Sequence, residues 1–557
     1  MFIDEPRPGR AGELSRRELL RRSAVSACGI AISPAILVYS GCAPAPAGKK
    51  ESATPGPESD VDYTLRAAKK QASPDGRSRE ILCYNGELPG PVIRAKLGQK
   101  LRVRVKNELD VPTSVHWHGQ HQPGTWQMDG VDGVSRPPIA PGEEFVYEFV
   151  ATPAGTHWYH SHTGVQYGDG LFGPLIVEDD KPIAPYDREE ILLINDWFLQ
   201  SSEAILAGLT KSSAGGMAAM KMKDSGGAAG ADKMPGMKMP AADSTKADTT
   251  KKMPGKMADD AAKTPEKSGA MAGMKMPGMK MGDGKPDLGD VPFESALFNG
   301  RGRFGSDSAA PLASIDVKPG ETLRLRLING SSTYALRFQV DGHQLTVVAS
   351  DGAPLEPIEV DNLVINVGER YDVLLRADKS GTSWIRAATL AGDEARALLR
   401  YPDAPAGEPA ATPVVWGERA LRPEEMRARD PVPTVKKPRE IRLRLGGSMQ
   451  PFVWSINDQV YPQADTISLK TDEVVRFVME NPTGMDHPFH LHGHYFSVLG
   501  DPDRPNLTSA PQKDTINIPA GKTVLLEWRA KNPGRWFFHC HIEWHVATGM
   551  ARVIEIT

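Results

Sequence analysis

Gly98-Gln-Lys-Leu-Arg-Val-Arg-Val-Lys-Asn107 is spelled twice more in this chain, as Gly320-Glu-Thr-Leu-Arg-Leu-Arg-Leu-Ile-Asn329 and Asp472-Glu-Val-Val-Arg-Phe-Val-Met-Glu-Asn481. Apolar and polar residues alternate in each copy, the pattern of a half-buried β-strand. The closing asparagines lie 222 and then 152 positions apart. The excess in the first interval is close to the length of one compositionally odd stretch, residues 212–286. Without it, three units of about 150 residues remain, an ordinary domain size. A second landmark repeats with the first: Gly155, Gly381 and Gly534 are followed three positions later by Trp158, Trp384 and Phe537. Many short β runs, turn-rich joints and almost no helical periodicity predict β-sandwiches. The division that follows is a leader and linker at 1–58 and units at 59–182, 183–430 (carrying the insertion) and 431–557. One short helix is expected at Glu203–Leu209 and another near the C-terminus.

Composition narrows the functional classes. The chain has 557 residues, a net charge of -4 and 24% charged residues, which gives no reason to expect nucleic acid as a partner. Four cysteines exclude a disulfide scaffold. At the N-terminus, Ser15-Arg16-Arg17-Glu18-Leu19-Leu20 resembles a twin-arginine export signal, and a mildly apolar stretch from Ser23 to Gly41 follows it. Pro34 and many small residues make that stretch a poor membrane span. Ser40-Gly41-Cys42 looks like a lipobox in which Cys42 would carry a lipid anchor. Tyr39 replaces the usual leucine, and cleavage near Ala45-Pro46-Ala47 is the alternative. The expected location is periplasmic or at the cell surface. Cys83 and Cys540 then remain in the mature chain, neither expected in a disulfide.

The histidines occupy matching places in two of the three units. Nine and eleven positions after the closing asparagine lie His116 and His118 in the first unit and His490 and His492 in the third. The same count in the middle unit reaches Phe338 and Val340. Five and seven positions after the glycine lie His160 and His162, then Arg386 and Ala388, then His539 and His541. Residues i and i+2 of a strand share a face, so each His-x-His pair projects two imidazoles the same way. Four pairs in register suit a cluster of three metal ions between two domains, because neutral imidazole binds copper, iron and zinc. Cys540, between His539 and His541, must point to the opposite face. With His487, His545 and a weak axial Met550 it matches the ligand set of a blue-copper site. The first unit has Leu171 in the place of Met550. Covalent continuity from Cys540 to its two neighbours offers a short path from that copper to the cluster.

His116-Trp-His118-Gly, His160-Ser-His162, His487-Pro-Phe-His490-Leu-His492 and His539-Cys540-His541-Ile-Glu-Trp-His545 closely resemble the four signatures of three-domain multicopper oxidases, over about residue 60 to the end. The resemblance implies three cupredoxin-like Greek-key β-sandwiches and four copper ions. His116 and His490 would be the type 2 ligands. His118, His160 and His541 would hold one type 3 copper, and His162, His492 and His539 the other. His487, Cys540, His545 and Met550 would bind type 1. The implied chemistry is one-electron oxidation of substrate at type 1 and four-electron reduction of O2 to water at the cluster. Asp129 is similar in spacing to the acidic residue credited with proton delivery in laccases, but it also suits a turn-forming Asp-Gly. Glu543 is the second candidate carboxylate, either catalytic or orienting its ligand neighbours. His121, His157, His343 and His494 are expected to be structural or exposed, and the edge of His545 to be open to electron donors.

Thirteen of the 20 methionines, Met217 to Met281, fall in the insertion. Its Lys, Ala, Gly, Asp and Pro background cannot build a core, so disorder is expected. Thioethers prefer Cu(I) and need no deprotonation. Met234, Met237, Met239, Met274, Met276, Met279 and Met281, in near-repeats, are candidates for Cu(I) capture, unless the segment is only a low-complexity linker. The insertion and its Asn195-Asp196-Trp197 and Phe298-Asn299-Gly300-Arg301-Gly302 flanks resemble copper-resistance oxidases of the CopA type. The leading reading is therefore O2-dependent oxidation of Cu(I), phenols or both, in copper tolerance. A copper-sequestering protein with minor oxidase activity is the alternative, and a blue-copper reductase is disfavoured because it does not need four His-x-His pairs.

Overall fold

Each copy of the repeated phrase is a strand at the heart of a sheet: Lys100–Asn107, Thr322–Asn329 and Val474–Glu480. The closing asparagine does the same work three times. Asn107 Nδ2 donates to the carbonyls of Val111 (2.9 Å) and Ile139 (2.8 Å). Asn329 Nδ2 donates to Tyr334 (2.9 Å) and Ile365 (2.8 Å), and Asn481 Nδ2 to Met485 and Ile518 (both 2.8 Å). In every case Oδ1 accepts the amide two residues on, at 3.0 Å. One buried amide thus ties the strand end to its loop and to a more distant segment, satisfying backbone groups that no ladder could reach.

The computed structural model describes residues 60–557 apart from 182, 212–290, 304–309, 390–393 and 405–406. The proposed leader with Cys42 and the candidate methionines of the insertion lie outside the described residues. Three two-sheet sandwiches follow one another. The first pairs a four-stranded sheet, Arg79–Tyr84, Val61–Ala72, Lys100–Asn107 and Glu144–Val150, with a second made of Ile93–Lys96, Phe172–Glu178, Gly155–His160 and His116–His118. The second and third sandwiches repeat this plan with sheets of six and five strands. In each, an early strand pairs parallel with the repeated one (Val61–Ala72, Arg188–Trp197 and Arg439–Met449), while other neighbours run antiparallel, as a Greek-key sandwich requires. The all-β, three-cupredoxin expectation holds. The first helix spans 202–211 and the C-terminal one Glu543–Ala547.

Strand alternation separates core from ligand face. Trp117 and Tyr159 enter the first core, and Phe489, Phe538 and Cys540 the third, so the flanking histidines must leave on the other side. Gly155 and Gly534 begin the ligand strands at φ 135° and 146°, and a Cβ there would lie 2.4 Å from Gly352 Cα and from the Trp126 ring.

In the middle unit the count from Asn329 slips by one. Phe338 and Val340 lie in its core. Gln339 stands opposite Arg386, as His116 stands opposite His160 and His490 opposite His539. The connection is one residue longer, and a one-residue shift exchanges the two faces of a strand. The histidine-free face is covered by the segment 410–417: Gln339 Nε2 donates to Val415 O (3.0 Å), Trp384 Nε1 to Ala410 O and Arg386 Nη2 to Thr412 Oγ1 (both 3.2 Å).

Candidate metal centres

The eight histidines of the four pairs meet where the first and third sandwiches face each other. All but His162 are at most 2% exposed. His162 Nε2 lies 3.4 Å from His539 Nε2, which lies 3.1 Å from His492 Nε2. His116 Nε2 is 3.4 Å from His490 Nε2, and His541 Nε2 is 3.2 Å from His118 Nδ1. His160 Nε2 has no hydrogen-bond partner among the described residues. Burial first, then the neighbouring imidazoles, push His160, His492 and His539 well below the ordinary histidine range. Burial also holds His118, His162 and His541 well down.

Neutral rings brought this close have lone pairs to share and no proton donor among them. Backbone carbonyls fix the tautomers: His116 Nδ1 donates to Asp129 O (2.9 Å), His160 Nδ1 to Ser161 O (2.9 Å), His490 Nδ1 to Asp514 O (3.0 Å) and His539 Nδ1 to Cys540 O (2.8 Å). Each bond leaves Nε2 as the free acceptor. His162, His492 and His539 hold one ring nitrogen each within 4.8 Å of one another, as do His116, His118 and His160, and His116, His490 and His492. That donor set fits copper.

On the opposite face, Cys540 Sγ is 3.5 Å from His545 Nδ1 and 3.7 Å from His487 Nδ1, and the two Nδ1 atoms are 3.1 Å apart. Met550 is fully buried in the same cluster. The amide of Cys540 donates to Met550 O (3.0 Å), as the amide of Ser161 donates to Leu171 O (2.9 Å) in the first unit. The scaffold is duplicated, with Ser161 and Leu171 in the first unit where the third has Cys540 and Met550. His545 itself is fully buried, with the Trp454 ring 4.0 Å away. The expected open edge is therefore not found: Trp454 packs against the ring at an interplanar angle of 34°.

The two carboxylates differ from each other. Asp129, also fully buried, accepts from His492 Nδ1 at 2.8 Å, and its Oδ1 is 3.2 Å from His116 Nδ1. It does more than form a turn. Glu543 accepts from Gly168 N (3.3 Å), and among the described residues no hydrogen bond joins it to a ring of the histidine cluster.

Asp514 was not legible from the sequence. Its Oδ1 is 3.3 Å from His118 Nε2 and 3.5 Å from His490 Nδ1. Asp129 and Asp514 are thus counterparts: each serves the first histidine of its own unit's pair and the second of the other's. Arg370, from the middle unit, holds Asp514 with two bonds of 2.6 Å and keeps its carboxyl well below the usual range. The only signal would have been a lone Lys-Asp-Thr in a strand. His121, His157, His343 and His494 bind no ligand group. His157 Nε2 donates to Pro153 O (3.0 Å), His343 Nδ1 to Asp341 O (3.0 Å) and His494 Nδ1 to His492 O (3.2 Å).

Known proteins share this arrangement. Residues 66–182, 257–404 and 434–557 each match a family described as multicopper oxidase. The multicopper oxidase MmcO of Mycobacterium tuberculosis is 30% identical, covering 91% of this chain and 89% of its own. A copper resistance protein A homolog of Pseudomonas syringae is 27% identical over 89% and 92%. The laccase of Botrytis aclada superposes with a TM-score of 0.70 at 26% identity, over 89% of this chain and 87% of that one.

Proposed function

The chain belongs to the multicopper oxidase family, and from that premise we propose which residues carry its four coppers and what its donor is. The enzyme oxidises its substrate one electron at a time and reduces O2 to water. Type 1 copper takes His487, Cys540, His545 and Met550. Type 2 takes His116 and His490. The type 3 pair takes His118, His160 and His541 on one side and His162, His492 and His539 on the other. Bound copper supplies the one-electron redox chemistry at both centres. The observation that carries this reading is the meeting of all four pairs from two sandwiches in one buried space, with Cys540 on the opposite face of one ligand strand.

The remaining residues position and protect. Asp129 and Asp514 aim histidines across the interface, so the cluster forms only when the first and third units are docked. Trp158 lies 4.4 Å from the His160 ring and 5.1 Å from that of His118, excluding water from the cluster's flank. Backbone from Cys540 to His539 and His541 connects the two centres with no gap through space. Asp129 and Glu543 are the carboxyl groups from which protons reach O2.

The donor is Cu(I), and phenols are a second substrate class. Leu209, two residues before the described chain breaks off, and Val291 and Phe293, where it resumes, pack on the cluster that contains Cys540 and Met550. Both roots of the methionine-rich segment therefore sit on the type 1 sandwich. This supports a role in passing Cu(I) to that site, and the copper-resistance relative fits it. Export by the twin-arginine route, with or without a lipid at Cys42, belongs to the same reading. No helix among the described residues is long and apolar enough to cross a membrane.

Deleting 212–286 tests the assignment. Cu(I) oxidation should fall at least tenfold while oxidation of a simple phenol persists. Unchanged Cu(I) turnover and copper tolerance would defeat the capture role. Copper tolerance that survives loss of turnover, in a Cys540→Ser chain, would favour sequestration.

A further inference from the structure

Three buried oxygens converge on Gly168. A Cβ at that position would lie 2.4 Å from Glu543 Oε2, 2.6 Å from Ser202 Oγ and 2.7 Å from Ser332 Oγ. Any side chain at 168 would drive these groups apart. All three residues are at most 1% exposed, and none of the three atoms has a well-formed hydrogen bond among the described residues. Buried polar atoms without partners are costly, so a cluster of three asks for a reason. They lie close enough for one water to bridge any two of them.

The cluster has a direction. Ser202 donates its amide to both oxygens of Asp169, at 3.1 and 3.2 Å; burial raises that carboxyl against the opposing pull of Arg79 and of the Ser202 amide and hydroxyl. Asp169 is the member nearest solvent, with its side chain 13% exposed beside Arg79 at 3.1 Å. Glu543, at the inner end, is two residues from His541. Ser332 leads elsewhere, since its amide binds Asp196 Oδ1 at 2.8 Å, and Asp196 is itself enclosed.

We propose that Ser202 is a proton-relay residue between Asp169 at the solvent edge and Glu543 beside the copper cluster, and that residue 168 is glycine so that they can meet. Each O2 reduced to two waters consumes four electrons, delivered by the donor, and four protons. A relayed proton arrives from solvent at Asp169. The Ser202 oxygen accepts it while releasing its own hydroxyl hydrogen to a bridging water, which gives one of its hydrogens to Glu543 Oε2, so serine and water both end neutral. A hydroxyl can do this because it donates and accepts at one atom. The inference rests on the reading of Glu543 as a proton carrier.

The test uses the full-length copper-loaded protein with Ser202→Ala, Gly168→Ala and, as reference, Glu543→Gln. Copper per chain, blue absorbance, anaerobic reduction of type 1 copper, reoxidation by O2 and proton uptake with a pH indicator are measured, with melting of the copper-free proteins as a check on folding. Ser202→Ala should keep wild-type copper, colour, melting and anaerobic reduction, while reoxidation and proton uptake slow about tenfold with a larger solvent isotope effect. Gly168→Ala should do the same if it folds, and Ser202→Ala stands alone if it does not. Wild-type proton uptake in Ser202→Ala, with Glu543→Gln slow, overturns the relay and leaves Glu543 in place. If Glu543→Gln is also unimpaired, the reading beneath the relay fails. Loss of copper in Ser202→Ala would assign it a structural role and likewise overturn the proposal.

Discussion

His539 and Cys540 are adjacent residues whose side chains serve different centres: His539 Nε2 lies 3.1 Å from His492 Nε2, and Cys540 Sγ lies 3.5 Å from His545 Nδ1 on the other side of the strand. Period-two alternation makes this unavoidable once His539 and His541 face the first sandwich. The strand that closes the histidine cluster is thus also the strand that carries the Cys540 thiol. On the proposed assignment, electron donor and electron acceptor are one peptide unit apart, and neither can shift without the other.

Asp129 accepts from His492 and also reaches His116, one histidine from each unit. Asp129→Ala removes the carboxylate from a fully buried site, so that His492 Nδ1 loses its acceptor while His116 Nδ1 keeps the carbonyl of residue 129. Loss of such a partner costs roughly 10–100-fold in metal affinity or activity. The expected result is a normal blue colour, weakened type 2 and type 3 occupancy and O2 reduction down by about that factor, read by copper analysis and reoxidation kinetics. Full cluster occupancy with normal reoxidation would refute the role.

Arg370 joins the middle sandwich to the cluster through Asp514, with Asp351 Oδ1 3.5 Å from the same guanidinium. Arg370→Met leaves the buried Asp514 carboxylate without its cation, while Asp351 keeps Lys513 at 3.1 Å. Breaking such a pair costs about 3–5 kcal/mol. The denaturation midpoint of the copper-free protein should fall accordingly, and a change below about 1 kcal/mol would contradict the account. Adding Asp514→Asn should recover part of the loss, because it removes the stranded charge.

The copper-free protein should lose stability as pH falls from about 6.5 to about 4. Burial pushes His121 down to about 4 and His157 and His494 to about 3, and lowers most ligand histidines as well. Below the ordinary histidine value near 6.5 the unfolded chain binds protons that the folded chain refuses, so stability is complete above that pH and drains below it. Asp132 and Asp351, raised by burial to about 6, and Asp196, raised to about 7, act the other way: their contribution is full below about 4 and lost toward 7. Burial raises Asp169, Glu190 and Glu543 as well, but twelve lowered imidazoles outnumber the six raised carboxyls among the described residues, so the histidine slope wins. Denaturation midpoints at pH 7.5 and 5.0 measure it, and a higher midpoint at 5.0 would reverse the sign.

Much of this was legible in the sequence because the fold is repeated. Three copies of one phrase gave the units, and comparing equivalent positions separated ligand histidines from the four others. The comparison worked wherever spacing was conserved between copies. It slipped at Phe338 and Val340, where one extra residue in a connection exchanged core for outer face. Asp514 and Arg370 left no signal, because Asp514 acts on histidines distant in sequence and Arg370 on Asp514, 144 positions away. The burial of His545 under Trp454 was equally hidden, since it depends on how the hairpin Arg439–Ile456 folds over the site.

The most direct test of the account is copper stoichiometry and colour in the wild-type protein and in Cys540→Ser. The wild type should bind the four coppers of its family and be intensely blue. The variant should keep the three cluster coppers, lose the blue band and lose turnover with every donor. Two coppers in the wild type, or a blue and active Cys540→Ser, would contradict it.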